Sequence, residues 1–446
     1  MAEKQSAQAS HFLRLSAQSI DGGPSWLNDL RKAGLARFDR VGFPNTKQEE
    51  WRHTNVAPIA RIAFKPGEIA TPDEATQFSF GQDAVCELVF INGHFSQKLS
   101  RLGKLPRGVA VRSLAEARDL PELHGVLGQH ASINANPFVA LNTAFLSDGA
   151  YIHLAKNTTL QGPIHLLFFS TEQNEPTVSH PRVLVVAEDN VEAQIVESYV
   201  GTSGRYFTNA VTEIVLGNDC RIDHCKLQQE SLDAFHVASM QVKLGRATTF
   251  VSHAASIGAK LSRNDLNCLM DGEGAYATLN GLVLLKDEQH CDNHTLLDHA
   301  QPNCPSHELY KHVLAGKSTG VFRGKILVRQ PAQKTDSKQN SKSLLLSDDA
   351  YMNSQPALEI YADDVKCTHG STTGPVDEDM VFYLQTRGVG LEAARHLLTY
   401  AFAADVTRRM RVEPVRRRIE DYMAIQHGLP QDLRITDLGM FDEKAR

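Results

Sequence analysis

No stretch of this chain is apolar for long. The longest runs, residues 183–187 (VLVVA) and 282–285 (LVLL), fall far short of the ~18 consecutive apolar residues that a membrane-spanning helix needs. No contact with a membrane is expected. An excess of one charge is also missing: 46 Lys and Arg against 52 Asp and Glu leave a formal net charge of -6. No overall field therefore draws the chain to nucleic acid or to an anionic surface. The seven cysteines are odd in number and scattered, unlike the framework of a secreted disulfide-rich protein. The opening MAEKQSAQASHFLRL has an early acid and no apolar central region, so it reads as neither a signal nor a transit peptide. These absences predict a cytoplasmic location, with reduced thiols that can serve as soft ligands.

What is present is the composition of a folded protein, 42% hydrophobic and 22% charged over 446 residues, enough for two or three domains. Residues 10–60 carry helix-like stretches, and within 26–37 Leu27, Leu30 and Leu35 suggest one apolar stripe. ELVFINGHF, residues 87–95, reads as two short strands around the tight-turn pair Asn92-Gly93. Residues 120–145 return to a helical pattern. Beyond about residue 150 helical periodicity gives way to β-branched runs punctuated by Gly, Asn and Asp. A loose repeat emerges in LAKNTTL from Leu154, VAEDNVEA from Val186, LGNDCRI from Leu216 and LGRATTF from Leu244, with starts roughly 28 to 32 residues apart. Met270 and Leu346 open looser copies. Units of this length bury their inward residues only when the next unit stacks on them. The expected fold class is mainly β, a β-helix or β-solenoid, with a stacked β-sandwich as the alternative. Helical signals return from Asp377, in residues 391–404 and again in 415–425 after Pro414. The expected division is a mostly helical segment 1–148, a solenoid 149–376 and a helical tail 377–446.

Several motifs fail on context. Gly316-Lys317-Ser318 ends like a phosphate-binding loop, but the required first glycine position is Lys311 and no helix pattern follows. Gly388, Gly390 and Ala393 are spaced like a dinucleotide fingerprint, yet the 53 residues after Ala393 leave no room for the fold that goes with it. His307-Glu308 with His312 resembles a zinc-protease motif, but its spacing is five in a strand-like segment where the chemistry needs i and i+4 on a helix. Six arginines between 408 and 418 are interspersed with acids and favour a protein contact over nucleic acid. No nucleophile elbow is present.

Two clusters remain. Cys367-Thr368-His369-Gly370 follows the strand-like LEIYADDVK, and alternation puts Cys367 and His369 on one face as a pair of metal donors. Two ligands do not complete a site, and a buried thiol beside a hydrogen-bonded imidazole is the plainer alternative. His290, Cys291, Asp292, His294, His299, Cys304 and His307 form a second group dense in donors, with turn and backbone hydrogen bonding as their alternative use.

The stretch FRGKILVRQPAQKTDSKQNSKSLLLSDDAYMNSQPALEIYADDVKCTHGSTTGPVDEDMVFYLQTRGV, residues 322–389, closely resembles the C-terminal core of the SufB/SufD family of iron-sulfur cluster assembly proteins. KQEEWRHTNV, residues 47–56, the comparatively short chain and the lack of an N-terminal cluster-type cysteine motif resemble the SufD side of that family. The resemblance implies a right-handed parallel β-helix flanked by N-terminal and C-terminal α-helical domains. It implies pairing with a SufB paralogue through the β-helix, a homodimer where SufB is absent, and binding of the ABC-type ATPase SufC through the C-terminal helices. It further implies a scaffold without turnover of its own, a transient iron-sulfur cluster shared with SufB, and reduced flavin in the complex at no position readable here. The family's histidine implicated in assembly falls on His369 and its neighbouring cysteine on Cys367, so both are metal-site candidates. Two readings of another class stand beside it: a stand-alone β-helix enzyme acting on carbohydrate, which requires paired carboxylates on adjacent coils, and a zinc-binding structural protein using residues 290–307.

Overall fold

The computed structural model describes residues 22–426. The helix-like pattern in residues 10–21, the opening segment and residues 427–446 of the expected tail lie outside them. From Gly149 the strands alternate between two sheets. One stacks Gly149–Leu154, Arg182–Ala187, Tyr206–Leu216, Phe235–Leu244, Leu261–Met270, His290–His299 and Thr319–Val328, and ends on Tyr351–Ser354 and Ala357–Ile360. The other stacks Thr159–Phe169, Glu192–Val200, Arg221–Gln229, Thr249–Ser256, Tyr276–Leu285, Pro305–Leu314, Asp336–Leu345 and Lys366–Gly374. All these pairings are parallel. The result is a β-solenoid of about 8 turns with terminal helices, and the antiparallel sandwich is excluded.

The repeat seen in the sequence is a line of stacked residues and the corner that follows it. Leu216, Leu244, Met270, His299 and Val328 are successive partners across the first sheet. After this line, Asn157, Asn190, Asp219, Ala247, Gly274, Asn303 and Lys334 all take φ between 53° and 71°. Each donates its N–H to the coil above, Asn157 to the Asp189 carbonyl, Asn190 to Asn218, Asp219 to Arg246 and so on to Lys334 and Asp364. Left-handed backbone costs an ordinary L residue about 1–2 kcal/mol. Asn, Asp and Gly tolerate it best, which is why they punctuate the repeat.

Ahead of Gly149 the described chain combines helices with the first strands of both sheets. Cys86–Ile91 pairs in parallel with Thr159–Phe169, and Val109–Ser113 pairs antiparallel with Gly149–Leu154, so both sheets begin there. The physical reason is that Ile164 and Leu166 of the first full coil need a cover, which Leu88 and Phe90 supply within one core cluster. In residues 120–145 the only α-helix is Pro137–Ala144, capped by the Asn136 side chain. It packs against Ser25–Val41, where Gly34 lies so close that an added Cβ would be 2.8 Å from Ala140 O.

Two buried ionic clamps fasten this N-terminal segment to the outer face of the first sheet. Arg182 and Glu213 are fully buried and paired at 2.6 Å. Glu213 also accepts from the N–H groups of Gly128, His130 and Ala131, while Arg182 Nη1 donates to Asn142 Oδ1. The second clamp holds residues 47–56. Arg263 donates to Asp292 at 2.8 Å and Asp265 at 2.9 Å, and its guanidinium lies 3.8 Å over the Trp51 ring. Thr54 Oγ1 donates to Asp292, and His294 sits 3.0 Å from Asp292 Oδ1 and 3.5 Å from Glu50 Oε2. Burial alone would lower the His294 imidazole, but Asp292 and Glu50 raise it to about 9.

At the other end Asp377 caps Glu378–Thr386, followed by Leu391–Thr407 and Glu413–Gln426. These helices cover the second sheet's outer face. Leu282 and Val313 pack with Tyr400, Ala403 and Val415, and Lys311 pairs with Asp405 at 2.8 Å.

Two outcomes are expected. Ala247 holds a left-handed corner where its neighbours in the stack are mostly Asn, Asp or Gly, so Ala247→Gly stabilises the chain by about 1 kcal/mol, read from the urea midpoint. The His294 imidazole is raised in the folded state above its unfolded value of about 6.5, so its contribution is complete below about pH 6.5 and is lost as pH rises through about 9. Wild type therefore loses more stability between pH 7 and 10 than His294→Gln, measured by denaturant unfolding across that window.

Candidate functional site

Among the described residues, no strand covers the last coil. Lys366–Gly374 pairs on one side with Asp336–Leu345, and among the described residues its other edge has no partner. The first sheet ends beside it on Tyr351–Ser354 and Ala357–Ile360, where Tyr351, Ile360 and Tyr361 are exposed. An uncovered edge presents unpaired N–H and C=O groups and favours further strand pairing.

Register places the candidate donors. Cys367 is the partner of Ser337 and His369 of Gln339, and Ser337, Gln339, Ser341 and Ser343 are buried while Lys338, Asn340 and Lys342 are not. Cys367 and His369 thus share the inward parity of their strand, at the end of the solenoid interior. Cys367 is half-buried and packs against the main core, whereas His369 is exposed. Burial raises the Cys367 thiol above its ordinary value and Asp336 adds to this, with the Ser337 N–H pulling the other way. The remaining six cysteines are buried.

Residues 290–307 do not assemble. Cys291 and Cys304 point into core clusters, His299 faces inward to Ser306, and His290, Asp292 and His294 face outward into the Arg263 clamp. Among the described residues no three His, Cys, Asp or Glu side chains are grouped to hold a metal ion. His307 and His312 lie on opposite faces of Pro305–Leu314, so the zinc-protease spacing is broken as alternation requires. Gly316-Lys317-Ser318 is a solenoid corner, with Lys317 N–H donating to Asp287 O. Gly388 and Gly390 join two helices. Among the arginines between 408 and 418, Arg409 is engaged with Asp405, Arg411 with Asp223, Arg417 with Glu413, and Arg418 over the Phe78 ring.

Sequence reasoning missed the polar residues directly under His369. Glu308, Gln339 and His369 are successive partners across the second sheet. Gln339 Nε2 donates to Glu308 Oε2 at 2.5 Å, and both side chains are buried. Burial pushes the Glu308 carboxyl up to about 7. The strand misleads because it is inverted: Ser306, Glu308 and His312 face the interior, while Leu309 and Val313 face out under the C-terminal helices. Strict alternation of Ser306, Glu308, Tyr310 and His312 was the available signal.

Comparison with known proteins identifies two family regions in the chain. Residues 168–402 match the SufBD core domain described for SUF system FeS cluster assembly, and residues 4–166 match the SufBD protein N-terminal region. A SufBD family iron-sulfur cluster assembly protein of Synechocystis is 34% identical over 86% of this chain and 87% of its own length. The iron-sulfur cluster assembly protein SufD of Escherichia coli is 29% identical over 86% of this chain and 89% of its own. A chloroplastic protein of Arabidopsis thaliana is 29% identical over 91% and 88%.

Because the thiolate is the reactive form, a raised, half-buried Cys367 is expected to alkylate slowly at pH 7 and faster as pH rises. It is expected to react before the other six, which label only on unfolding. Peptide mass after timed iodoacetamide treatment of the native chain checks both statements.

Proposed function

The chain belongs to the SufBD family of SUF-system iron-sulfur cluster assembly proteins, and on that premise we propose that it is the SufD-type subunit of a SUF complex. It pairs with a SufB paralogue through the open end of the solenoid, and the nascent cluster, which is cargo, forms at the interface. The observation that carries this reading is the uncovered last coil, which offers an imidazole and a thiol from one face beside an unpaired strand edge. A site closed by a second chain needs only part of its ligand set from this one. His369 is assigned as the ligand to iron or cluster. Cys367, raised and half-buried, serves as a second ligand or an interface thiol, with the reactive thiolates coming from SufB. The same edge accounts for a homodimer when SufB is absent.

The chain carries no turnover of its own; ATP is hydrolysed by SufC, which docks on the helical part of 377–446. Supporting this, Met380, Phe382, Tyr383 and Leu391 are 48%, 67%, 52% and 48% exposed, apolar side chains that a partner would cover. Hydrolysis there reaches the interface through Leu391–Thr407, which is tied to the solenoid by the Lys311–Asp405 pair. No helix among the described residues is long and apolar enough to cross a membrane, and reduced, buried thiols suit the cytoplasm.

Reduced flavin in the complex is assigned no position in this chain: the grooves of about 610 Å³ beside Trp51 and about 580 Å³ lined by Thr278, Asn280 and Asn340 are open rather than the enclosed apolar pocket a planar ring fits best. The carbohydrate-enzyme alternative is not favoured, since outward carboxylates on adjacent coils are held in ion pairs, Asp265 and Asp292 with Arg263 and Asp298 with Arg329.

The test is anaerobic purification of the tagged chain from its own cells, wild type and His369→Ala, with partners identified by mass and iron and sulfide quantified. A SufB-like chain and an ABC ATPase are expected with both proteins, and lower iron with the variant. A lone chain free of iron overturns the reading.

A further inference from the structure

We propose that Gln339 is the positioning residue for His369: its side-chain carbonyl accepts a hydrogen bond from one ring N–H, leaving the other ring nitrogen to face the interface, and Glu308 sets the orientation of the Gln339 amide. This rests on the assignment of His369 as a ligand.

The three residues form one inward row. Glu308 is the partner of Gln339 and Gln339 of His369, so successive backbones are about 4.8 Å apart, within reach of side chains of this length. At the lower step, Gln339 Nε2 donates to Glu308 Oε2 at 2.5 Å. In its ionised form Glu308 accepts and does not donate, so in that form this bond decides which end of the amide faces down. The other end, Gln339 Oε1, is buried and has no hydrogen-bond partner. An orphaned buried carbonyl is costly, and the strand on its upper side carries His369, whose ring bears the N–H that would satisfy it. Room for the amide comes from Gly324 on the facing sheet, where an added Cβ would sit against Nε2 and 2.8 Å from Gln339 Cδ. A ligating histidine generally gives its second ring N–H to such an acceptor, which fixes tautomer and ring direction. A parallel solenoid provides that acceptor from the coil below.

The experiment uses the full chain with ¹⁵N-labelled histidine, the His369 signals being identified by their loss in His369→Ala. Wild type is expected to show one dominant tautomer at His369. Gln339→Met, which keeps the volume but removes the acceptor, is expected to show a mixture. The exchanged pair Glu308→Gln with Gln339→Glu, which rebuilds the donor-to-carboxylate bond with the upper oxygen still able to accept, is expected to restore the single form. In the complex purified anaerobically, Gln339→Met is expected to weaken iron retention 10–100-fold, with the exchanged pair recovering it. An unchanged His369 tautomer in folded Gln339→Met overturns the proposal, as does failure of the exchanged pair, if folded, to restore it. Should His369→Ala retain full iron while Gln339→Met still alters the tautomer, the ligand assignment falls and the positioning contact stands.

Discussion

Each coil of this protein is finished by the next one. A single turn of strand, corner and strand leaves its inward side chains and its strand edges open, and only the stacking of another turn closes both. At the beginning the chain solves this with its own residues, laying Cys86–Ile91 and Val109–Ser113 against the first full coil. At the other end, among the described residues, no further strand follows Lys366–Gly374, and the helices after it turn back over the outer face of the second sheet. The open end is therefore the place where backbone hydrogen bonds, a half-buried thiol and an exposed imidazole are all unfinished together.

The interior is more polar than a β-protein core usually is. Glu197 accepts from Tyr199 and Thr212 and lies 3.1 Å from His224, which in turn contacts Ser252. Burial alone would raise the Glu197 carboxyl, yet those contacts hold it below its ordinary value. Lys226 donates to Asn264 and is lowered by burial to about 8. Such groups find partners in one register only, and stranding one costs about 1–3 kcal/mol. The polar row thus penalises slips between coils that apolar stacking alone would tolerate. The Glu308–Gln339–His369 row continues this pattern to the open end.

The outer faces are finished differently. The first sheet is clamped by charge, through Arg182–Glu213 and Arg263–Asp292, each with at least one partner supplied by the N-terminal segment. Leaving one member of such a pair alone is worth about 3–5 kcal/mol against folding, so the segment is held in one place. The second sheet is covered by helices that bury Leu282, Leu284 and Val313. Of the arginines read as a partner surface, Arg418 is half-buried against Gln229, while Arg409 and Arg411 form exposed ion pairs with Asp405 and Asp223.

Much of the fold was legible because its rules are local. Left-handed corners need Asn, Asp or Gly, so the coil period appears as the spacing of LAKNTTL, VAEDNVEA and LGNDCRI, and a strand places Cys367 and His369 on one face by alternation alone. The helices after Asp377 announce themselves by a cap and a period. The sequence by itself thus determined the repeat, the shared parity of Cys367 and His369, the family and the failure of the phosphate-loop and zinc-protease motifs. What it left undecided depends on which face of a strand is covered, and by what. In Pro305–Leu314 the polar Ser306, Glu308 and His312 point inward while Leu309 and Val313 point outward under the covering helices, so hydropathy alone misplaces these five residues. Only the tertiary structure separated the histidines of 290–307 into a clamp and a core, joined strands from before residue 149 to the solenoid, and set Glu308 and Gln339 under His369, because those neighbours are partners across stacked coils and lie about 30 residues apart in the chain.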